Sequence, residues 1–394
     1  MRWSEIPREA RAYMLYHTLI APGLIVWILF PLYLMGTGYS ILEVGVFFTA
    51  VNIIAIPLTY LFGRLFNRWD IKKGLIAIDI LDGIAYVSYG LAKGAIAPIM
   101  LFAGRAIEKL STVLYPLYRA YEQVIYPEDR YEEIFAWHLR LPEISRLITF
   151  PIMGYILGYV YPGPESYRWA FLLFGLFSAI TVAYIWRFLP SVGREEKITS
   201  EGFTFKAGEF KLLLAFEALL TLAWALAPEL VLINYVVFVL HKTVFEVTLI
   251  ACASSLASII GTYASERVPK RKGFQAIGAG MLINAFYALV MALSPPFWLA
   301  LLVYAVGDFG STLWFPFYRS WMFKLIPKEK ASEFHAAISS YRKLLALFTP
   351  FVAGALASLH PTLPYAVSFG LFLLAGAMFA KLSRKGETGT SSPS

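Results

Sequence analysis

Three charged residues interrupt an apolar run: Arg105, Glu108 and Lys109 in LFAGRAIEKL, Leu101 to Leu110. Spacings of three and four residues put them on one face of a helix. LRLPEISR holds Arg140, Glu143 and Arg146 in a similar register, and another run holds Asp79 and Asp82. The second half adds Glu217, Glu229, Asp308, Arg342 and Lys343, with Asn234 shortly after Glu229. Such groups offer two kinds of chemistry in an apolar medium. An acid can load and release a proton beside a basic partner, or acids and bases can pair and lock helices together. A charge costs about 2.5–3.5 kcal/mol at a bilayer centre, so each one needs a reason. Asp79, Arg140, Glu217, Arg119 and Arg319 fall near the inner ends of their runs, where packing or reach to the interface accounts for them. Glu108 and Asp308 fall mid-run and are the candidates for proton coupling.

The elements that must carry these residues are membrane spans. The 394-residue chain is 58% hydrophobic and 15% charged, where soluble domains carry roughly 25% charged residues. Mean hydropathy is +0.63. Twelve runs are long enough to cross a bilayer as helices: 12–36, 41–63, 74–92, 96–119, 134–161, 167–189, 210–240, 244–264, 274–293, 297–324, 333–359 and 364–382. They are too long for barrel strands. The expected fold is therefore an all-α integral membrane protein of two six-helix halves, 1–189 and 210–383. A cytoplasmic linker at 190–209 joins them, and a disordered tail follows at 384–394. Met1 to Arg11 is polar and the first apolar run is long enough to span, so no cleavable signal is expected.

Basic residues collect on one side: Arg2, Arg8 and Arg11, then Arg64 to Lys73, Arg194 to Lys206, Arg267 to Lys272 and Lys381 to Lys385. That bias places both termini in the cytoplasm of a cell-membrane protein. The formal charge of +8 then belongs to an inner surface facing anionic lipid, and no nucleic-acid partner is expected. The single Cys252 excludes an intramolecular disulfide and a cysteine metal cluster. His17, His138, His241, His335 and His360 are scattered along the sequence, and HExxH, GxSxG and P-loop motifs are absent. Neither an enzyme nor a metal or cofactor site is expected from them.

The chain also repeats itself. STVLYPLYR, Ser111 to Arg119, returns as STLWFPFYR, Ser311 to Arg319, with five of nine positions identical. Glu108 and Asp308 stand at the same offset from the two copies. SILEV at Ser40 answers TVFEV at Thr243, and GRLFNRWDIKKG from Gly63 answers GTYASERVPKRKG from Gly261. Pro116 and Pro316 are expected to bend their helices. Tyr115, Tyr118, Trp314 and Tyr318 could line a cavity for an amphipathic solute or simply pack.

Duplicated six-helix halves with a polar linker resemble the major facilitator superfamily over nearly the whole chain. The loop signature of that family is matched by Gly63, Leu65, Arg68 and Lys72, with Asn67 where the family has Asp and Asp70 where it has Gly. A span-four motif is matched by Leu101, Arg105, Ser111 and Thr112, with Glu108 for Gln and Lys109 for Gly. Pro151, Gly154 and Gly158 hint at the antiporter motif of span five. The resemblance implies a monomeric secondary transporter working by alternating access, with 63–72 as a gating loop and Arg105 on the proton pathway. The cavity residues expected are Lys109, Glu229, Asn234, Tyr115, Tyr118, Trp314, Tyr318 and Arg146. The expected cargo is a small organic, amphipathic or aromatic solute exchanged for protons. A lipid or amphiphile flippase, or a facilitator for an anionic metabolite, are the alternatives.

Overall fold

The computed structural model describes residues 2–66, 70–127, 130–191, 211–325, 338 and 340–389, and among these the ordered elements are all helical. The first half contains α1 (Arg8–Ile20), α2 (Val26–Gly36), α3 (Ile41–Phe66) and α4 (Ile71–Leu91). It continues with α5 (Ala97–Leu114), α6 (Pro116–Ile125), α7 (Tyr131–Tyr155) and α8 (Pro164–Phe188). The second half contains α9 (Lys211–Leu226), α10 (Glu229–Ile233), α11 (Val244–Glu266) and α12 (Gly273–Ala292). It ends with α13 (Phe297–Leu325), α14 (Thr349–Leu359) and α15 (Leu363–Gly389).

Among the described residues, nine helical stretches are long and apolar enough to cross a membrane. The expected spans two, four and five are helical too, but fall short of that measure. Span two contributes the apolar stretch Ile41–Ala55, while α5 and α7 each carry several charged residues. The protein is a multi-pass membrane protein; the count of twelve stands as an expectation. Most of the linker at 190–209 lies outside the described residues. The helix α15 continues to Gly389, so 384–389, expected in a disordered tail, is helical. Residues 390–394 lie outside the described residues.

Local chemistry sets the breaks. Pro116 cannot donate to the turn before it, and α5 stops at Leu114 while α6 starts at Pro116. Its counterpart Pro316 lies inside the unbroken α13, so the matched prolines act differently in the two halves. The repeated SILEV and TVFEV segments are both capping boxes. Ser40 donates its backbone N–H to Glu43 at 2.7 Å, and Glu43 N–H returns to Ser40 Oγ. Thr243 and Glu246 form the same exchange at the start of α11.

The chain divides into two compact units, Met1–Gly38 with Phe47–Ser200, and Tyr39–Val46 with Glu201–Ser394. Each repeats one packing plan. In the first, α4 packs against α5 and α8; in the second, α12 packs against α13 and α15. Small residues permit these approaches: a Cβ on Gly175 of α8 would lie 2.7 Å from Val87 Cγ2. In the second unit, a Cβ on Gly280 would strike the Trp314 ring. The outer face of α8 exposes Trp169, Leu173, Leu176 and Ile180 at helical spacing, an apolar stripe suited to lipid contact.

Candidate functional site

The α5 charges form a closed group. Arg105 Nη1 donates to Glu108 Oε2 at 2.5 Å, and the Tyr89 hydroxyl donates to the same oxygen. The guanidinium also lies over the rings of Phe30 and Phe48, 5.3 and 5.1 Å from their centroids. Glu108 is 4% exposed. Its charge is matched at close range by the guanidinium. Lys109, next along the helix, is half-buried.

One turn further, the acids of α4 meet open space. A cavity of about 320 Å³ in the first unit is lined by His17, Leu24 and Trp27 of the first span, and by Asp79, Asp82 and Tyr86 of α4. Tyr115 and Tyr118, at the α5–α6 break, Pro142 of α7, and Phe177, Ser178 and Thr181 of α8 also line it. Breaking the helix at Pro116 therefore sets two tyrosines on the cavity wall. Tyr16 donates to Asp79 Oδ1 at 2.7 Å and shares a 3.2 Å hydroxyl contact with Tyr118. Asp79 Oδ2 is buried beside Thr181, whose hydroxyl donates to the Ser178 carbonyl at 2.9 Å. Ser111 reaches Asp82 from α5. Both acids are thus held by hydroxyls and, among the described residues, by no salt-bridging cation.

The second unit uses its matched residues for packing. Tyr318 is 1% exposed and donates to Glu217, which also accepts from Arg342 Nε and Nη2 at 2.6 and 2.7 Å. Trp314 is 3% exposed, with its indole N–H on Asn284 Oδ1 at 3.0 Å. Asn284 donates in turn to Ser311 Oγ at 3.0 Å and to the Gly307 carbonyl at 2.9 Å. Asp308 is half-buried on α13 near Tyr287 and Tyr304. Glu229 is exposed at the start of α10, and Asn234 opens the wide turn Asn234–Val239.

Of the remaining expected residues, Arg146 pairs with Glu143 at 2.9 Å and lies 5.0 Å from the Phe150 centroid. In the loop signature, Gly63 belongs to α3, while Asn67 and Arg68 lie outside the described residues. Asp70 caps α4, accepting from the N–H groups of Lys72 and Lys73 at 2.9 and 3.4 Å. Lys72 Nζ donates to the Trp186 carbonyl at 2.9 Å. Sequence reasoning passed over Asp79 as an inner-end charge and did not single out Tyr16 or Tyr86. A signal was present: the i, i+3 acids of α4, and the polar aromatic stripe Tyr13, Tyr16, His17 in the first span.

The family model described as Major Facilitator Superfamily matches residues 16–350. The chain belongs to the major facilitator superfamily. No curated protein is a significant match to the sequence. Among solved structures, a bacterial homologue of the iron transporter ferroportin in its inward-facing state aligns with TM-score 0.73 at 16% identity, over 95% of this chain and 98% of that one. A bacterial metal transporter gives 0.72 at 17%, over 96% and 99%. The nucleoside transporter NupG gives 0.69 at 12%, over 95% and 98%. At these identities the likeness is one of fold, and the family is one of transporters.

Proposed function

We propose that this member of the superfamily is a proton-coupled secondary transporter whose first-half cavity receives a small organic cation with an apolar or aromatic body, exchanged for protons at Asp79 and Asp82. The observation that carries the reading is the pair of acids on one apolar cavity, each held by a hydroxyl. Two carboxylates in such a place gather negative charge that protons or a cationic solute must offset. Competition between the two makes exchange obligatory, because each bound state excludes the other. Ser111 adds a proton count. Its hydroxyl stands between Asp82 and the Glu108 carbonyl, 2.8 Å from the latter, with one proton to give. When that proton goes to the carbonyl, the contact with Asp82 holds only if Asp82 carries a proton.

The cavity volume lies at the small end of the range for small-molecule sites. Trp27, Tyr86, Tyr115 and Tyr118 offer ring faces of the kind that attract organic cations. The acids disfavour an anionic metabolite. The earlier candidates Glu108 and Arg105 become a neighbouring ion pair that positions α5.

Proteoliposomes loaded with a pH-sensitive dye and an acidic lumen test the reading. Addition of a transported organic cation from a panel should alkalinise the lumen, and Asp82→Asn should remove that response. Solute entry without proton movement, or an unaltered Asp82→Asn protein, would refute it.

A further inference from the structure

The histidines scattered in the sequence are not all scattered in space. His17 on α1, Glu122 on α6 and His138 on α7 each present a ligand atom, and the three atoms lie within 4.8 Å of one another. The Nε2 of His138 is 3.8 Å from Glu122 Oε1, and the two imidazole centroids are 4.7 Å apart. His17 Nε2 is buried and has no hydrogen-bond partner among the described residues. We infer that these side chains form a binding site for a divalent transition-metal ion of the zinc, cobalt or ferrous type, reached from the cavity through His17.

Chemistry and geometry both favour this. Two imidazole nitrogens and one carboxylate suit borderline first-row metals, whereas calcium and magnesium prefer sets built from oxygen. Metal–ligand bonds of about 2.0–2.1 Å put tetrahedral ligand atoms about 3.4 Å apart. The Glu122–His138 pair at 3.8 Å is near that spacing, and a small side-chain rotation closes the rest. The remaining coordination positions would fall to water or to a group in the cavity, which His17 also lines.

The surroundings supply orienting contacts of the kind that support metal ligands. Tyr126 Oη lies 2.6 Å from His138 Nδ1. With the proton on Nδ1 donated to that hydroxyl, Nε2 is the nitrogen that carries the lone pair a metal ligand needs. Tyr13 donates to Glu122 Oε1 at 3.3 Å, which steadies the carboxylate. Packing alone accounts for part of this nest, since His17 stands edge-on to Tyr13, Tyr16 and Tyr118. It leaves the buried Nε2 without a partner, which is costly for a polar atom. A metal ion satisfies it. The site is separate from Asp82 and Ser111 and does not depend on the proton-coupled reading.

Purified full-length protein, stripped with chelator, should be titrated with Zn²⁺ by calorimetry and with Co²⁺ by visible absorption. One equivalent of Co²⁺ should give the intensified bands of a low-coordinate nitrogen–oxygen site, and Zn²⁺ should displace it and raise the melting temperature. His138→Ala and His17→Phe, the latter keeping the aromatic nest without a ligand atom, should abolish the bands. Tyr126→Phe should weaken binding about tenfold or more through loss of the orienting contact. Cys252→Ser should bind as the parent does, excluding the sole thiol. Each variant's melting temperature without metal separates lost binding from lost fold; should His138→Ala misfold, His138→Gln replaces it. No stoichiometric binding by the parent, or full binding by His17→Phe and His138→Ala, would overturn the inference.

Discussion

The hydroxyl of Ser111 joins two helices: it contacts the carboxylate of Asp82 on α4 and lies 2.8 Å from the Glu108 carbonyl one turn back on α5. Its repeat partner Ser311 also joins two helices, but receives an amide N–H from Asn284 at 3.0 Å and donates to the Gly307 carbonyl at 2.9 Å. One duplicated serine therefore touches an ionisable group and the other a neutral one. The halves have kept the joint and divided the chemistry.

Serine-to-alanine variants should separate the two. Ser311→Ala removes one acceptor of Asn284, which still donates to Gly307, and should cost about 1 kcal/mol of stability with solute-driven proton flux intact. Ser111→Ala removes a partner of Asp82 and should shift the pH profile of that flux. Identical profiles for both variants would contradict the division.

Arg105 and Glu108 should behave as a unit in thermal melts. Removing Arg105 alone leaves Glu108, at 4% exposure, without its guanidinium, which should cost about 3–5 kcal/mol. Arg105→Ala combined with Glu108→Gln should recover much of the loss, since the amide oxygen still accepts from Tyr89. In the second half, Arg342 grips Glu217 through two nitrogens, so Arg342→Lys should also destabilise, because an ammonium cannot reproduce the fork. Additive losses in the Arg105 and Glu108 pair would refute the coupling.

The all-helical, multi-pass character and the family were legible because they rest on composition, run length and local spacing. SILEV and TVFEV stood out in the sequence only as a repeat, and the structure shows both to be capping boxes, which are written within four positions. The site was only partly legible. Helical spacing paired Arg105 with Glu108 correctly, but nothing local told that Tyr89 would reach the same carboxylate from the next helix. That Asp79 lines a cavity was not legible, because depth along a run does not reveal which side faces open space. Trp314 and Tyr318 shared a motif with Tyr115 and Tyr118, yet α13 runs unbroken through Pro316 while the chain breaks before Pro116. Their environments follow from that tertiary difference.

Orientation rests on the basic residues and can be tested directly. On a Cys252→Ser background, Gly386→Cys should resist a membrane-impermeant maleimide in intact cells and react once the membrane is opened. A cysteine in the loop at Lys93, on the opposite side, should react in intact cells. The reverse pattern would invert the topology.

The last prediction concerns the protonation state of the cavity acids. An apolar carbodiimide adds to a carboxyl group through its protonated form, so it marks acids that hold a proton within an apolar site. Asp79 and Asp82 line the cavity and have hydroxyl partners, whereas the Glu108 carboxylate is occupied by the Arg105 guanidinium at 2.5 Å. Treatment of membranes with dicyclohexylcarbodiimide should therefore place an adduct on the peptide carrying Asp79 and Asp82, and leave Glu108 unmodified. Lowering the pH should speed the reaction, and a transported organic cation should slow it by occupying the cavity. Asp82→Asn should reduce the yield, with Asp79→Asn distinguishing the second acid. Mass spectrometry of the digested protein reads each outcome. Modification centred on Glu108, or a rate at Asp82 indifferent to both pH and solute, would move proton coupling away from this cavity.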